Sequence, residues 1–256
     1  AVLFFKTSFS KKILIISSTF LFIFSVYIYG TFAINKNKGL INYLDNNKKI
    51  YTKVISPNFE LKYNSSIQEI EKKLKKLVRY SDPDPKKDTL FVWPEGVFTG
   101  FNYNEISQFK DLINNHFKEN HLILFGINTL DKNSGEYFNS LVIVNNKFEI
   151  LNQYNKKKLV PFGEFLPFEK VLNKFGLKKI TQGHGSFSKG KMQENIVLND
   201  LNILPLICYE IIFPELAQKA NNKTNMIVNI SEDGWFGNSI GPHQHFAKAI
   251  FRSIEN

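Results

Sequence analysis

The chain has 256 residues, 43% of them hydrophobic, and a formal net charge of +10. That composition supports one sizeable α/β domain plus a further segment. A single cysteine excludes an internal disulfide, and two arginines without any recognition motif argue against a nucleic-acid interface. The excess charge lies in scattered lysines, which suit either anionic lipid headgroups or a solvated face.

Residues 13–34 carry no charge and are rich in Ile, Phe and Leu. At about 1.5 Å per residue they span roughly 33 Å, close to a hydrocarbon core of about 30 Å, so a transmembrane helix is predicted. A cleaved signal peptide fits less well, because its apolar core is shorter and no Ala-x-Ala site follows. Residues 1–12 read as the end of an earlier apolar segment and a short loop with three lysines. Short basic loops stay cytoplasmic, which places the large domain across the membrane. Residues 35–48 read as a linker, and 49–256 as a single α/β domain.

Within that domain the alternation over 49–55 predicts a first strand. Apolar residues at 67, 70, 74, 77 and 78 predict a helix over 66–80, capped by Ser65 or Ser66. A polar loop over 81–88 leads to a buried strand at 90–93. A helix near 104–119, a strand at 122–127, and a hairpin of 140–145 with 148–154 around Asn146-Lys147 follow. Further strands are predicted at 203–207 and 226–230, and a helix at 245–256.

Three segments point to chemistry. Cys208 ends the apolar run of Ile-Leu-Pro-Leu-Ile-Cys-Tyr-Glu-Ile-Ile-Phe-Pro-Glu (203–215), and Pro214 and Glu215 suit the first turn of a helix. A thiol on such a strand-to-helix turn lies beside free N–H groups that lower its pKa and hold an oxyanion. Glu95, after Trp93-Pro94, stands at the carboxyl end of a strand, poorly placed for bulk solvation, as a general base requires. Lys156 opens a run of three lysines, ordinarily a solvated loop, yet an apolar, proline-punctuated segment follows it directly. Held there, its ammonium can stabilise a thiolate and a tetrahedral intermediate.

Glu95, Lys156 and Cys208, in that order and context, resemble the Glu-Lys-Cys triad of the carbon–nitrogen hydrolase (nitrilase) superfamily. Val-Pro-Phe-Gly-Glu (160–164), Trp-Phe-Gly-Asn-Ser-Ile-Gly-Pro (235–242) and the predicted membrane segment are most similar to the apolipoprotein N-acyltransferase family. The resemblance implies an αββα sandwich, with Glu95 as base, Lys156 as electrostatic stabiliser and Cys208 as nucleophile. It implies no metal and no cofactor. It also implies an acyl chain passed from a phospholipid through a cysteine thioester to a diacylated apolipoprotein. The setting implied is a multi-pass protein of the bacterial inner membrane with its catalytic domain in the periplasm. Further membrane helices are then expected before residue 1 and after residue 256. A membrane-tethered amidase using the same triad is the alternative.

Glu164 and Glu210 match glutamates the family needs, and Tyr209 matches a residue of the acyl site. From the residues alone, Glu164 either orients Lys156 or caps a turn. Glu210 either bonds loop N–H groups around the nucleophile or favours a helix N-terminus by charge. The sequence departs from the family at Pro57-Asn58, at Tyr63 where tryptophan is frequent, at Gly96, and at Glu232 where asparagine is commoner. Aromatic groups at 98, 101 and 103, at 162, 165 and 168, and at Trp235 and Phe236 read as an acyl route, a bilayer contact or ordinary core. His243-x-His245 has no third zinc ligand in view.

Overall fold

The computed structural model describes residues 8–44, 50–62, 65–168, 186–191, 195–198, 200–221 and 223–255. It divides into two units, Ala1–Lys49 and Ile50–Asn256. The first contains one helix, α1 (Phe9–Leu44), whose stretch Phe9–Lys36 is long and apolar enough to cross a membrane. Four of its hydroxyls bond within the helix. Ser18 and Thr19 donate to the Ile15 carbonyl, Ser25 to Phe22 and Thr31 to Tyr27, so these four donors are met within the helix. The helix runs through residues 35–44, expected to be linker. No proline interrupts that stretch, and its polar residues are not strong helix breakers.

The second unit contains two sheets. The larger has the order β1-β2-β3-β4-β5, with β1 (Tyr51–Val54), β2 (Thr89–Val92) and β3 (His121–Leu130) parallel. Strands β4 (Tyr137–Val144) and β5 (Ile150–Asn155) continue it antiparallel. The smaller sheet pairs β6 (Ile196–Leu198) antiparallel to β7 (Leu201–Ile207), which is parallel to β8 (Met226–Ile230). Strand alternation then sorts the apolar side chains into layers. Leu90, Val92, Leu124, Leu141 and Ile143 meet Ile203, Ile207, Val228 and Ile230 between the sheets. The opposite face of the larger sheet packs Phe91, Ile123, Phe125 and Val142 against Ile70, Leu74, Leu77 and Ile113 of the helices α2 (Ile67–Ser81) and α4 (Lys110–His116), and against Phe117 just after α4. Leu206 on the far face of the smaller sheet packs with Ile211, Leu216 and Ala249. The result is an α-β-β-α sandwich, and each fully buried Leu, Ile or Phe contributes about 1.5–3 kcal/mol.

Helix α2 begins as its sequence predicts, with Ser66 and Glu69 forming a reciprocal capping box. The single helix expected near 104–119 is instead α3 (Tyr103–Ile106), a 3₁₀ turn at Ser107–Phe109, and α4. Asn102 caps α3 with its own capping box, so the segment is started as a short turn and bends before α4. The last two α-helices among the described residues are α5 (Pro214–Ala217) and α6 (Gly241–Glu255), the latter starting before the predicted residue 245.

Candidate active site

Glu95, Lys156 and Cys208 come from three strand ends and line one cavity of about 370 Å³. Trp93 continues the β2 ladder, its N–H donating to the Leu124 carbonyl, and its buried indole donates to Ser81. Pro94 then turns the chain so that Glu95 leaves the sheet at its carboxyl edge. Gly126 on β3 lies directly beneath, since a Cβ there would sit 3.0 Å from the Glu95 Cα. Lys156 follows β5. Its N–H donates to the Asn139 carbonyl and its carbonyl accepts from Gly190, so both flanking peptides are held.

Lys156 is 1% exposed, unlike its neighbours in the run. Its Nζ lies 2.8 Å from Glu164 Oε1 and 3.8 Å from Glu95 Oε1. Burial works against the ammonium, but Glu95, Glu164 and Cys208 outweigh it and hold the Lys156 pKa above the usual lysine range. Asn139 ties the two carboxylates together, its amide donating to Glu95 Oε1 at 2.9 Å and to Glu164 Oε1 at 2.7 Å. Glu164 Oε2 accepts from the Val160 N–H at 2.8 Å. Glu164 thus meets the Lys156 ammonium with one oxygen and bonds the turn at Val160 with the other. The Glu232 N–H reaches Glu95 Oε2 at 3.3 Å, and the half-buried Glu232 side chain also lines the cavity. Burial, together with Glu95 and Asp233, pushes the Glu232 carboxyl up.

Cys208 has φ of +51°, a left-handed conformation that costs a non-glycine residue about 1–3 kcal/mol. It starts a 3₁₀ turn, Cys208–Ile212, which precedes α5; the strand therefore does not feed the proline-started helix directly as expected. Glu210 fastens this turn. Its carboxylate accepts from Tyr154 Oη (2.8 Å), the N–H groups of Lys157 (2.7 Å) and Lys158 (2.9 Å), and the Ile207 N–H (2.9 Å). Burial pushes the Glu210 carboxyl up, and these donors pull the other way. Of the two readings for Glu210, the structure shows bonding to the loops around Cys208.

The expectation of a lowered thiol pKa fails. Burial and the facing Glu95 carboxylate push Cys208 up to about 12, against the opposing pull of Lys156 and Ser231. The resting thiol is therefore neutral, and its proton leaves only when a base takes it. Iodoacetamide should alkylate the folded protein slowly at pH 8–9 and faster only towards pH 12; a midpoint at 8.5–9 would contradict this environment. An unfolded thiol ionises near 8.5–9, so raising pH through 9 to 12 favours the unfolded chain.

Tyr209 and Trp235 also line the cavity, Trp235 being 47% exposed, while Tyr63 lies outside the described residues. The aromatic groups divide. Phe98 is buried against Phe125 and also lines the cavity, while Phe101 and Tyr103 pack on the same core. Phe162, Phe168, Trp235 and Phe236 are exposed. Among the described residues one cluster has metal-ligand spacing, namely Cys208, Asp233 and His245, but His245 is already engaged with both Asp233 and the Cys208 carbonyl.

Residues 62–256 match the carbon–nitrogen hydrolase family. The chain belongs to that family. It is 30% identical over 217 residues to a protein of Allorhizobium ampelinum named apolipoprotein N-acyltransferase, covering 81% of this chain and 41% of that protein. It is 36% identical over 172 residues to a protein of the same name from Rhodopseudomonas palustris, covering 65% of this chain and 32% of that one. The chain thus spans about a third to two fifths of the length of these curated relatives. Its fold is similar to the crystal structure of a carbon–nitrogen hydrolase from Helicobacter pylori G27, with a TM-score of 0.53 at 18% identity over 79% of this chain and 68% of that one.

Within this carbon–nitrogen hydrolase domain, sequence reasoning passed over Asn139, Gly190 and Ser231. Gly190 shows why. Its backbone lies so close to the Asn155–Lys156 peptide that a Cβ would overlap the Asn155 carbonyl. Gly190→Ala is therefore expected to push Lys156 off Glu164 and lower turnover at least 10-fold, with the melting temperature falling a few degrees. Parent-like kinetics for Gly190→Ala would show that Lys156 does not depend on this contact.

Proposed function

We propose that the domain transfers a fatty acyl chain from a phospholipid, through a thioester on Cys208, to the N-terminal amine of a diacylated apolipoprotein. The observation that supports this reading best is the setting of the thiol. Cys208 opens onto a cavity whose walls include Leu61, Phe98, Ile127, Val160, Trp235 and Phe236, an apolar lining suited to an acyl chain. The likeness to proteins named apolipoprotein N-acyltransferase supports the same reading.

In the first half-reaction Glu95 takes the Cys208 proton as sulfur attacks the ester carbonyl. The tetrahedral oxyanion is met by the Lys156 ammonium, which is already held by Glu164. Collapse breaks the C–O bond, and the departing lysophospholipid alkoxide takes the proton back from Glu95. In the second half-reaction the amine attacks the thioester, Glu95 removes the nitrogen's proton, and the Cys208 thiolate leaves and is reprotonated. No cofactor enters either step. On this reading α1 is one span of a multi-pass inner-membrane protein, and the lysines at its amino end favour the periplasmic side for the domain.

The deciding experiment is complementation of a bacterial strain depleted of lipoprotein N-acylation by the full-length protein. Restored growth with a third acyl chain on its lipoproteins, read by mass spectrometry, is the expected result. Hydrolysis of small amides without such restoration would favour a tethered amidase.

A further inference from the structure

Cys208 is held in its left-handed turn from both sides. On its amino side, Glu210 accepts from the Ile207 N–H. On its carboxyl side, His245 Nε2 lies 3.0 Å from the Cys208 carbonyl oxygen. A carbonyl can only accept, so Nε2 is the donor. The other ring nitrogen, Nδ1, lies 2.9 Å from Asp233 Oδ1, which also accepts from the Ser231 hydroxyl at 2.6 Å. Both ring nitrogens thus face acceptors and donate, Nδ1–H to Asp233 and Nε2–H to the nucleophile's backbone, so the ring is aimed at the backbone and not at the sulfur.

The surrounding structure gives this contact leverage. His245 is buried in the first half of α6, and Ala249, one turn further on, packs into the cluster of Leu206, Ile211 and Leu216 that flanks the Cys208 turn. Ser231 and Asp233 follow β8, the neighbour of β7. The ligand atoms of Cys208, Asp233 and His245 all lie within 4.8 Å of one another. A left-handed cysteine persists only where its surroundings over-determine it.

We propose that His245, oriented by Asp233, is a positioning residue that fixes the direction of the Cys208 side chain. The groups facing that thiol are Glu95, Lys156, Glu164, Ser231, Asp233 and His245. Without the donor on its carbonyl, Cys208 relaxes towards ordinary φ and its sulfur swings out of the field of Glu95. The proposal rests on Cys208 as nucleophile and is independent of which acyl group it carries.

The test compares His245→Leu, His245→Asn and His245→Gln in the full-length protein in detergent. A glutamine amide can stand in for Nε2 and donate to the Cys208 carbonyl. The shorter asparagine amide reaches only the Asp233 side. Iodoacetamide alkylation of Cys208 is followed by intact mass at pH 8.5, alongside thioester formation from labelled phospholipid. For His245→Leu and His245→Asn, alkylation should rise at least tenfold as the thiol reverts to an ordinary one, while thioester formation falls at least tenfold. His245→Gln should stay within threefold of the parent in both. Unchanged alkylation in Leu and Asn, or a change in Gln as large as theirs, overturns the proposal. If His245→Leu does not fold, His245→Asn decides alone. The alkylation arm holds even if the acyl donor has been misassigned.

Discussion

Cys208→Ala is expected to abolish a covalent acyl adduct that the parent forms with labelled phospholipid. The thioester has nowhere else to form, because Cys208 is the only cysteine in the chain. Loss of a nucleophile that acts in concert with its partners commonly costs about 10⁴–10⁶ in kcat. Cys208→Ser keeps the size of the side chain, yet a hydroxyl is far harder to deprotonate than a thiol beside Glu95. Turnover should therefore vanish in both variants while their folded yields match the parent. The measurement is hydroxylamine-sensitive label on the intact protein. Label that persists in Cys208→Ala at the parent's level would remove Cys208 from the chemistry altogether.

The second large effect separates Lys156 from the two lysines beside it. Lys156 is enclosed, with Glu164 at 2.8 Å and Glu95 at 3.8 Å, whereas Lys158 is partly exposed and pairs with Glu215 at 3.2 Å. What Lys157 and Lys158 contribute to the site is backbone N–H, donated to Glu210 and indifferent to the side chain. Lys157→Ala and Lys158→Ala should stay within a few-fold of the parent. Lys156→Ala should lose at least 10²–10³ in rate through the missing oxyanion partner. It should also lose about 3–5 kcal/mol of stability, because Glu95 and Glu164 are left without their buried cation. Lys156→Met, which fills the space, separates the two losses when rate and denaturant midpoint are measured together. Equal rate losses at 156, 157 and 158 would make the run a collective basic patch.

The elements easiest to read were those whose identity is local. The apolar run before Cys208, the strand 226–230 and the Ser66-started helix carry their signals within a few residues, and each is found where its pattern places it. The family resemblance named Glu164 and Glu210 but could not choose between their roles, because the choice lies in strand register. Pairing of Ser140 with Asn155 sets Asn139 beside Lys156, and only then does an unremarkable strand asparagine bridge two glutamates. Lys156 itself looked like part of a solvated run, since composition cannot tell which of three adjacent lysines follows the sheet inward. Gly190 was hidden for the same reason, and His245 was weighed only as a zinc ligand because its partner Cys208 is distant in sequence. The thiol pKa was misjudged because free N–H groups at a turn are visible in a sequence and the depth of burial is not.

The site is divided between two sheets. Glu95 and Lys156 end strands of the larger one, Cys208 ends a strand of the smaller, and the layer of Leu90, Val92, Ile203 and Ile207 closes them together. Neither sheet alone holds both the thiol and the groups proposed to take its proton. The contacts that join them are long-range, the kind formed late because their loop-closure entropy must be met first. A chain whose two sheets are not docked lacks Glu95 and Lys156 beside its cysteine. The arrangement proposed for acyl capture therefore exists only where the two sheets are docked, and anything that loosens their packing disarms the thiol without touching it.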